Sequence, residues 1–187
     1  MKVIPTKIKD LLIIEPDVFG DQRGFFMESY NQEKYQSIGL KEKFVQDNLS
    51  QSAKGVLRGL HLQKNPFGQG KLVQVIKGAV LDVAVDARPQ SPTYGQWESV
   101  ELNEENKKQF WIPAGFLHGF LSLKDETIFF YKCTEFYHPE AEVSVLWNDS
   151  DLKIDWQLEK YGLTQPLVSS KDQEGLSFQE FSKIIKK

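Results

Sequence analysis

The residues best suited to chemistry lie in the stretch Arg58–Gly78, RGLHLQKNPFGQGKLVQVIKG. His61 stands in the apolar run Leu60-His61-Leu62, a Pro/Gly-containing loop (Asn65 to Gly70) turns the chain, and Lys71 opens a second apolar run, Leu72 to Ile76. The pattern predicts a β-hairpin with two polar residues at its mouth. Strand alternation places Gly59, His61 and Gln63 on one face and points Arg58 the other way, unless a bulge intervenes. A neutral imidazole can take a proton from carbon, and a nearby ammonium can stabilise the enolate oxygen that develops, which is proton abstraction next to a carbonyl. Inverting the carbon also needs an acid on the opposite face. Tyr131 offers one, because it alternates with Phe129 and Cys133 on the inward side of the run Thr127–Thr134. A phenol in apolar surroundings needs a partner or a purpose. Taken alone, a histidine in an apolar run is more commonly a packed residue than a base, so the remaining elements must decide.

Those elements read as short strands. Residues 2 to 15 suggest one or two, Asp21–Gly24 a turn, and Phe25–Tyr30 another strand. Asn31 to Gly39 is a short helix, with Asn31 as N-cap and Gly39 as terminator. Phe44–Ser52 is extended and polar; Ala79–Asp86 is apolar on both faces, hence buried on both. Trp97–Leu102, Thr127–Thr134 and Val143–Trp147 complete the strands, and Ser177–Ile185 is an amphipathic closing helix. Strands at intervals of about 8–12 residues, punctuated by Gly and Pro, predict an all-β barrel or double-sheet sandwich. We expect one domain over residues 1–187, with a core barrel at about 45–147, N-terminal strands at 2–30 and a looser C-terminal tail at 150–187.

Composition narrows the function classes. The 187 residues carry a net charge of -3, which gives no electrostatic footprint for nucleic acid or an anionic membrane. No apolar run approaches the ~18 residues of a membrane-spanning helix, and the amino terminus lacks a signal-like apolar core. The single cysteine, Cys133, excludes an internal disulfide and a multi-cysteine zinc site. A soluble cytoplasmic protein is the expectation. Cys133 reads as a buried filler without a basic neighbour on its own face, and Trp97, Trp111, Trp147 and Trp156 as packing residues. No dinucleotide, Walker, zincin or nucleophile-elbow pattern is present.

Gly59-x-His61-x-Gln63 and Pro113-x-Gly115-x-x-His118 resemble the two motifs of the cupin superfamily, a double-stranded β-helix (jelly-roll) barrel whose usual metal site takes two His and one Glu from the first motif and one His from the second. Here Gln63 replaces one histidine and Lys71 stands near the acidic position. An ammonium has no lone pair for a metal, so a site without metal is expected.

A closer resemblance runs through Asp21-x-Arg-Gly-x-Phe-x-Glu28, Gln46-Asp-Asn-x-Ser50, Val56-Leu-Arg-Gly-Leu-His61, Gly70-Lys-Leu-Val73, Pro113-x-Gly-x-x-His-Gly-Phe120, Tyr131-Lys-Cys-Thr134, Tyr137-x-Pro-x-x-Glu142 and Trp147-Asn-Asp149. In these the chain is similar to the dTDP-4-dehydrorhamnose 3,5-epimerase family. The resemblance implies a cofactor-independent epimerase acting on dTDP-4-dehydro-6-deoxy-D-glucose, with His61 as base, Asp172 orienting it, Tyr131 as acid and Lys71 at O4. It further implies that Phe26 and Tyr137 flank the thymine and that Arg23 and Arg58 face the diphosphate. Glu28, Gln46, Asn48, His118, Glu142 and Lys171 would complete the pocket. A homodimer is implied, in which Arg23, Phe26 and Glu28 serve the partner's site. Open beside this stand a single-carbon epimerase or 3,4-ketoisomerase of a related sugar, a metal-dependent cupin oxygenase, and a non-catalytic sugar-nucleotide-binding cupin.

Overall fold

The computed structural model describes residues 1–185. The chain runs β1 (Lys2–Pro5), β2 (Leu12–Glu15), β3 (Val18–Asp21), β4 (Gly24–Met27), α1 (Gln32–Ser37), β5 (Gln46–Ser52), β6 (Val56–Gln63), β7 (Lys71–Lys77), β8 (Ala79–Asp86), β9 (Trp97–Asn103), β10 (Gln109–Ile112), β11 (Phe116–Ser122), β12 (Thr127–Cys133), β13 (Glu142–Ser144), β14 (Leu167–Val168), α2 (Ser170–Gln173) and α3 (Phe178–Ile185). One sheet has the order β1-β2-β10-β7-β12-β5, and the other β13-β6-β11-β8-β9 with β14 also paired to β6; β3 and β4 form a separate hairpin. The expected all-β double-sheet architecture is therefore present. No helix of the described residues is long and apolar enough to cross a membrane.

The layers follow from side-chain alternation. Every residue of β8 is buried, as its two apolar faces require. Its inward Val80 and Ala84 join Val73, Val75, Phe110, Phe116, Phe120 and Phe129 between the sheets. Its outward Leu81, Val83 and Val85 join Leu57, Leu60, Leu62, Leu117 and Leu121 under a cover of Leu152, Trp156, Phe178 and Phe181. The C-terminal segment is thus part of the core and not a loose tail. On the other sheet, Ile14, Leu72 and Trp111 pack under Tyr35 and Leu40. That cover includes α1, which has the expected Asn31 N-cap, its side chain accepting from Lys34 N.

The expected hairpin around His61 and Lys71 is absent. β6 pairs with β11, β13 and β14, whereas β7 pairs with β10 and β12. The Asn65–Gly70 loop carries the chain from one sheet to the other, so His61 and Lys71 belong to opposite walls of the barrel. A turn-rich loop between two apolar runs signals a reversal of direction, but does not say in which sheet the second strand lands.

Arg58 also departs from simple alternation. His118 lies opposite His61 while Phe120 lies opposite Arg58, so β6 carries one extra residue in that interval, a bulge. Gly59 takes φ +123° there, and a Cβ on it would come within 2.6 Å of Gly119 Cα. Two glycines face each other so that two strands can approach. Gly59→Ala is expected to destabilise the protein by roughly 2–4 kcal/mol through backbone strain and overpacking, read as a lowered urea midpoint with unchanged slope.

Candidate active site

Between the sheets lies a cavity of about 580 Å³ whose lining includes His61, Lys71, His118, Tyr131, Arg58, Phe120, Phe129, Lys171 and Asp172. A second lobe of about 220 Å³ shares His61, Lys71 and Tyr131 and adds Gln46, Asn48, Gln63, Gln69, Tyr137 and Glu142. The three shared residues mark where the lobes meet. His61 comes from one sheet, and Lys71 and Tyr131 from the other.

His61 is held by a carboxylate. Its Nε2 lies 2.5 Å from Asp172 Oδ1, and the second carboxylate oxygen is 3.5 Å from Gly59 N. Asp172 reaches this position because β14 adds to β6 in parallel, Leu167 opposite Val56 and Val168 opposite Leu57, and α2 follows at once. Ser169 caps α2 by accepting from Asp172 N at 3.2 Å. Burial works to raise the Asp172 carboxyl, but its hydrogen bond and charge interaction with His61 and the Ser169 cap outweigh it and hold the group below the usual range. An ionised Asp172 fixes the tautomer of His61 with the proton on Nε2 and leaves Nδ1 as the basic nitrogen.

Lys71 enters the cavity opposite. Burial lowers its pKa, against the pull of Cys133, Asp82 and Glu142. Cys133, opposite Lys71 in the β7–β12 register, does have a basic neighbour, but across the strand. Burial also pushes Tyr131 up to about 12, so its phenol stays protonated at neutral pH. His118 lies 3.0 Å from both oxygens of Asp82, a carboxylate with 0 % exposure inside the barrel. Burial lowers the His118 pKa against that carboxylate.

An imidazole facing a protonated phenol across a slot, with an ammonium beside them, can invert a carbon next to a carbonyl. A family profile described as dTDP-4-dehydrorhamnose 3,5-epimerase matches residues 5–180. The chain belongs to the dTDP-4-dehydrorhamnose 3,5-epimerase family. It is 53% identical over 179 residues to the Shigella flexneri protein of that name, covering 95% of this chain and 96% of the relative. A crystal structure of the epimerase from Legionella pneumophila Philadelphia 1, in complex with dTDP-4-keto-L-rhamnose, superposes with a TM-score of 0.90 at 51% identity, covering 95% of this chain and 93% of that one. A dTDP-4-dehydrorhamnose 3-epimerase from Streptomyces niveus is 36% identical, covering 96% of this chain and 85% of the relative.

Within this epimerase fold the second lobe is a connected polar wall. Gln46 Nε2 donates to Asn48 Oδ1 at 3.1 Å, and Gln46 Oε1 accepts from Tyr137 N at 3.0 Å. Glu142 accepts from the Tyr137 hydroxyl at 3.1 Å and from Lys171 Nζ. Burial works to raise the Glu142 carboxyl, but the Lys171 ammonium leads the interactions that hold it lowered. Because Lys171 and Asp172 are consecutive, α2 ties His61 to this wall.

Three of the expected pocket residues lie elsewhere in the single chain. Arg23 and Phe26 sit on the β3–β4 hairpin, where Arg23 Nη2 pairs with Asp21 at 2.5 Å. Glu28 pairs with Lys34 and with Asn31. Neither lobe includes them. Sequence reading also missed Asp82, whose signal was available: a carboxylate in the middle of β8, a run otherwise apolar up to its last residue, Asp86. It missed β14 as well, because two residues carry no periodicity.

Gln63 is tied to the loops. Its Nε2 donates to Phe67 O at 2.7 Å and Phe136 O at 3.1 Å, and its Oε1 accepts from His138 N at 2.8 Å. Phe67 and His138 stack across the same junction, with ring centroids 3.9 Å apart. Gln63→Ala is expected to cost roughly 2–4 kcal/mol through these three hydrogen bonds. Hydrogen exchange should accelerate in residues 64–69 and 134–138 together.

Proposed function

We propose that this chain epimerises dTDP-4-dehydro-6-deoxy-D-glucose at C3 and C5 to dTDP-4-dehydro-L-rhamnose, without metal or other cofactor. The observation that carries the reading is that His61 and Tyr131 project from opposite sheets into one cavity, with Lys71 beside both. In the chair form of the substrate the hydrogens on C3 and C5 are axial on the same face, so one base under C4 serves both carbons. His61 Nδ1 takes the proton, the electron pair moves into the C4 carbonyl, and the Lys71 ammonium stabilises the resulting oxyanion. Tyr131 then returns a proton to the opposite face. A positioned acid or base typically contributes 10²–10⁴-fold, and an oxyanion donor about 10²–10³-fold. Asp172 contributes by keeping His61 in the reactive tautomer, and His118 lines the sugar lobe.

The nucleotide reading follows the second lobe. Tyr137 offers a half-exposed ring beside Gln46, Asn48 and Glu142, while the Arg58 guanidinium and the Lys171 ammonium suit a diphosphate. Arg23, Phe26 and Glu28 act in the site of a second copy. In support, the β3–β4 hairpin exposes Phe19, Phe25 and Phe26 at 64, 60 and 66%, an apolar face that a homodimer would cover.

In heavy water the product should carry deuterium at both C3 and C5. Label at one carbon would instead match a single-carbon epimerase such as the Streptomyces niveus relative. His61→Asn should lower turnover by about 10²–10⁴-fold while dTDP binds within a few-fold of wild type; unchanged turnover would place the base elsewhere. Co-expressed Arg23→Ala and His61→Asn chains, each inactive alone, should recover about a quarter of wild-type activity if the hairpin serves the second copy. No recovery would assign Arg23 to its own chain's site or to none.

A further inference from the structure

Two successive inversions by one acid–base pair leave a proton inventory to be restored between them, an inference that rests on the proposed double epimerisation. After the first inversion His61 holds one proton too many and Tyr131 one too few. The sugar ring lies between them, so neither can repair the other directly. His61 is 27% exposed and can release its proton to water. Tyr131 needs a proton donor.

Most of the neighbouring groups have none to give. Asp172 and Glu142 are held below the usual carboxylate range and are ionised at neutral pH. Arg58 does not release a guanidinium proton. Burial pulls His118 toward the neutral form, and its remaining N–H, on Nε2, donates to the Asp82 carboxylate. Cys133 keeps its thiol proton, but with 0 % exposure it has no access to water that would restore the proton once given. Asn48, across from Tyr131 in the β5–β12 register, is not an acid.

Lys71 is different. Its Nζ lies 5.9 Å from the centroid of the Tyr131 ring, and it lines both lobes with Tyr131 and His61. Among the described residues its ammonium makes no hydrogen bond or ion pair, so its protons are uncommitted. We propose that Lys71, besides stabilising the C4 oxyanion, reprotonates Tyr131 between the two inversions. In this step an Nζ–H bond breaks, the phenolate gains the proton, and a neutral amine remains. The amine takes a proton from cavity water while His61 gives one up, so the site returns to its starting state with no net change. Burial acts on both partners in the required sense, lowering the Lys71 pKa and raising that of Tyr131.

Lys71→Arg tests the step, since arginine keeps the positive charge but has no proton to transfer at neutral pH. The reaction is followed in heavy water under single-turnover conditions, alongside the tyrosinate absorbance. The ratio of second to first inversion should fall by about tenfold or more, with singly labelled epimer and tyrosinate accumulating. Equal slowing of both inversions would overturn the proposal, leaving water as the source of the proton. Should the arginine variant perform neither, Lys71→Ala is supplied with ethylammonium or guanidinium. Ethylammonium should restore doubly labelled product and guanidinium only singly labelled product. The same product pattern with both cations, or no rescue by ethylammonium, would overturn it. Wild-type protein labelled at one carbon only would defeat the double-inversion reading itself, a failure visible before any variant is made.

Discussion

An acid and a base that act on opposite faces of one sugar ring cannot come from adjacent strands of one sheet. They must be held apart by the thickness of a ring plus a contact on each side. Two facing β-sheets, packed about 10 Å apart, supply that separation from backbone geometry alone. The placement of β6 in one sheet and of β7 and β12 in the other is therefore the constraint on which the site depends. A His61–Lys71 hairpin would have put imidazole and ammonium side by side on one wall, with no slot between.

Holding that slot open requires polar groups in a barrel whose other end is filled by Phe110, Phe116, Val75 and Val100. Each buried polar group would be costly if left unmatched. His61 is matched by Asp172, His118 by Asp82, and Glu142 by Lys171 and Tyr137. Of the two lysines among the described residues lining the cavity, Lys71 keeps its ammonium without a carboxylate contact while Lys171 is paired, and such a departure from local consistency belongs at functional positions. The C-terminal segment contributes twice, covering one sheet from outside with Trp156, Phe178 and Phe181 and reaching the cavity with Asp172.

What could be read from residue order was local. The Asn31 cap of α1, the double-faced burial of β8, the inward set Phe129-Tyr131-Cys133 and the closing helix all follow from short-range periodicity and capping chemistry. What could not be read was non-local. The Asn65–Gly70 loop has the composition of a hairpin turn, yet sheet membership is settled by partners such as β10, β11 and β12 far along the chain. The Arg58 bulge depends on Gly59 meeting Gly119, a contact between distant strands. Asp172 was singled out through the family pattern, because nothing in the residues around it announces a parallel pairing with Val56 and Leu57. Arg23 and Phe26 stand outside both lobes of the single chain for a related reason: the hairpin that bears them packs apart from the two sheets.

Gln63 holds together more of the molecule than one wall of the cavity. Its amide ties the loop after β6 to the loop after β12, so the residue has acquired structural dependants. An imidazole there could not make all three bonds, so both loops would be released at once. Gln63 is in this sense a strut, and whatever alters the cavity wall at that position also alters both loops that frame it.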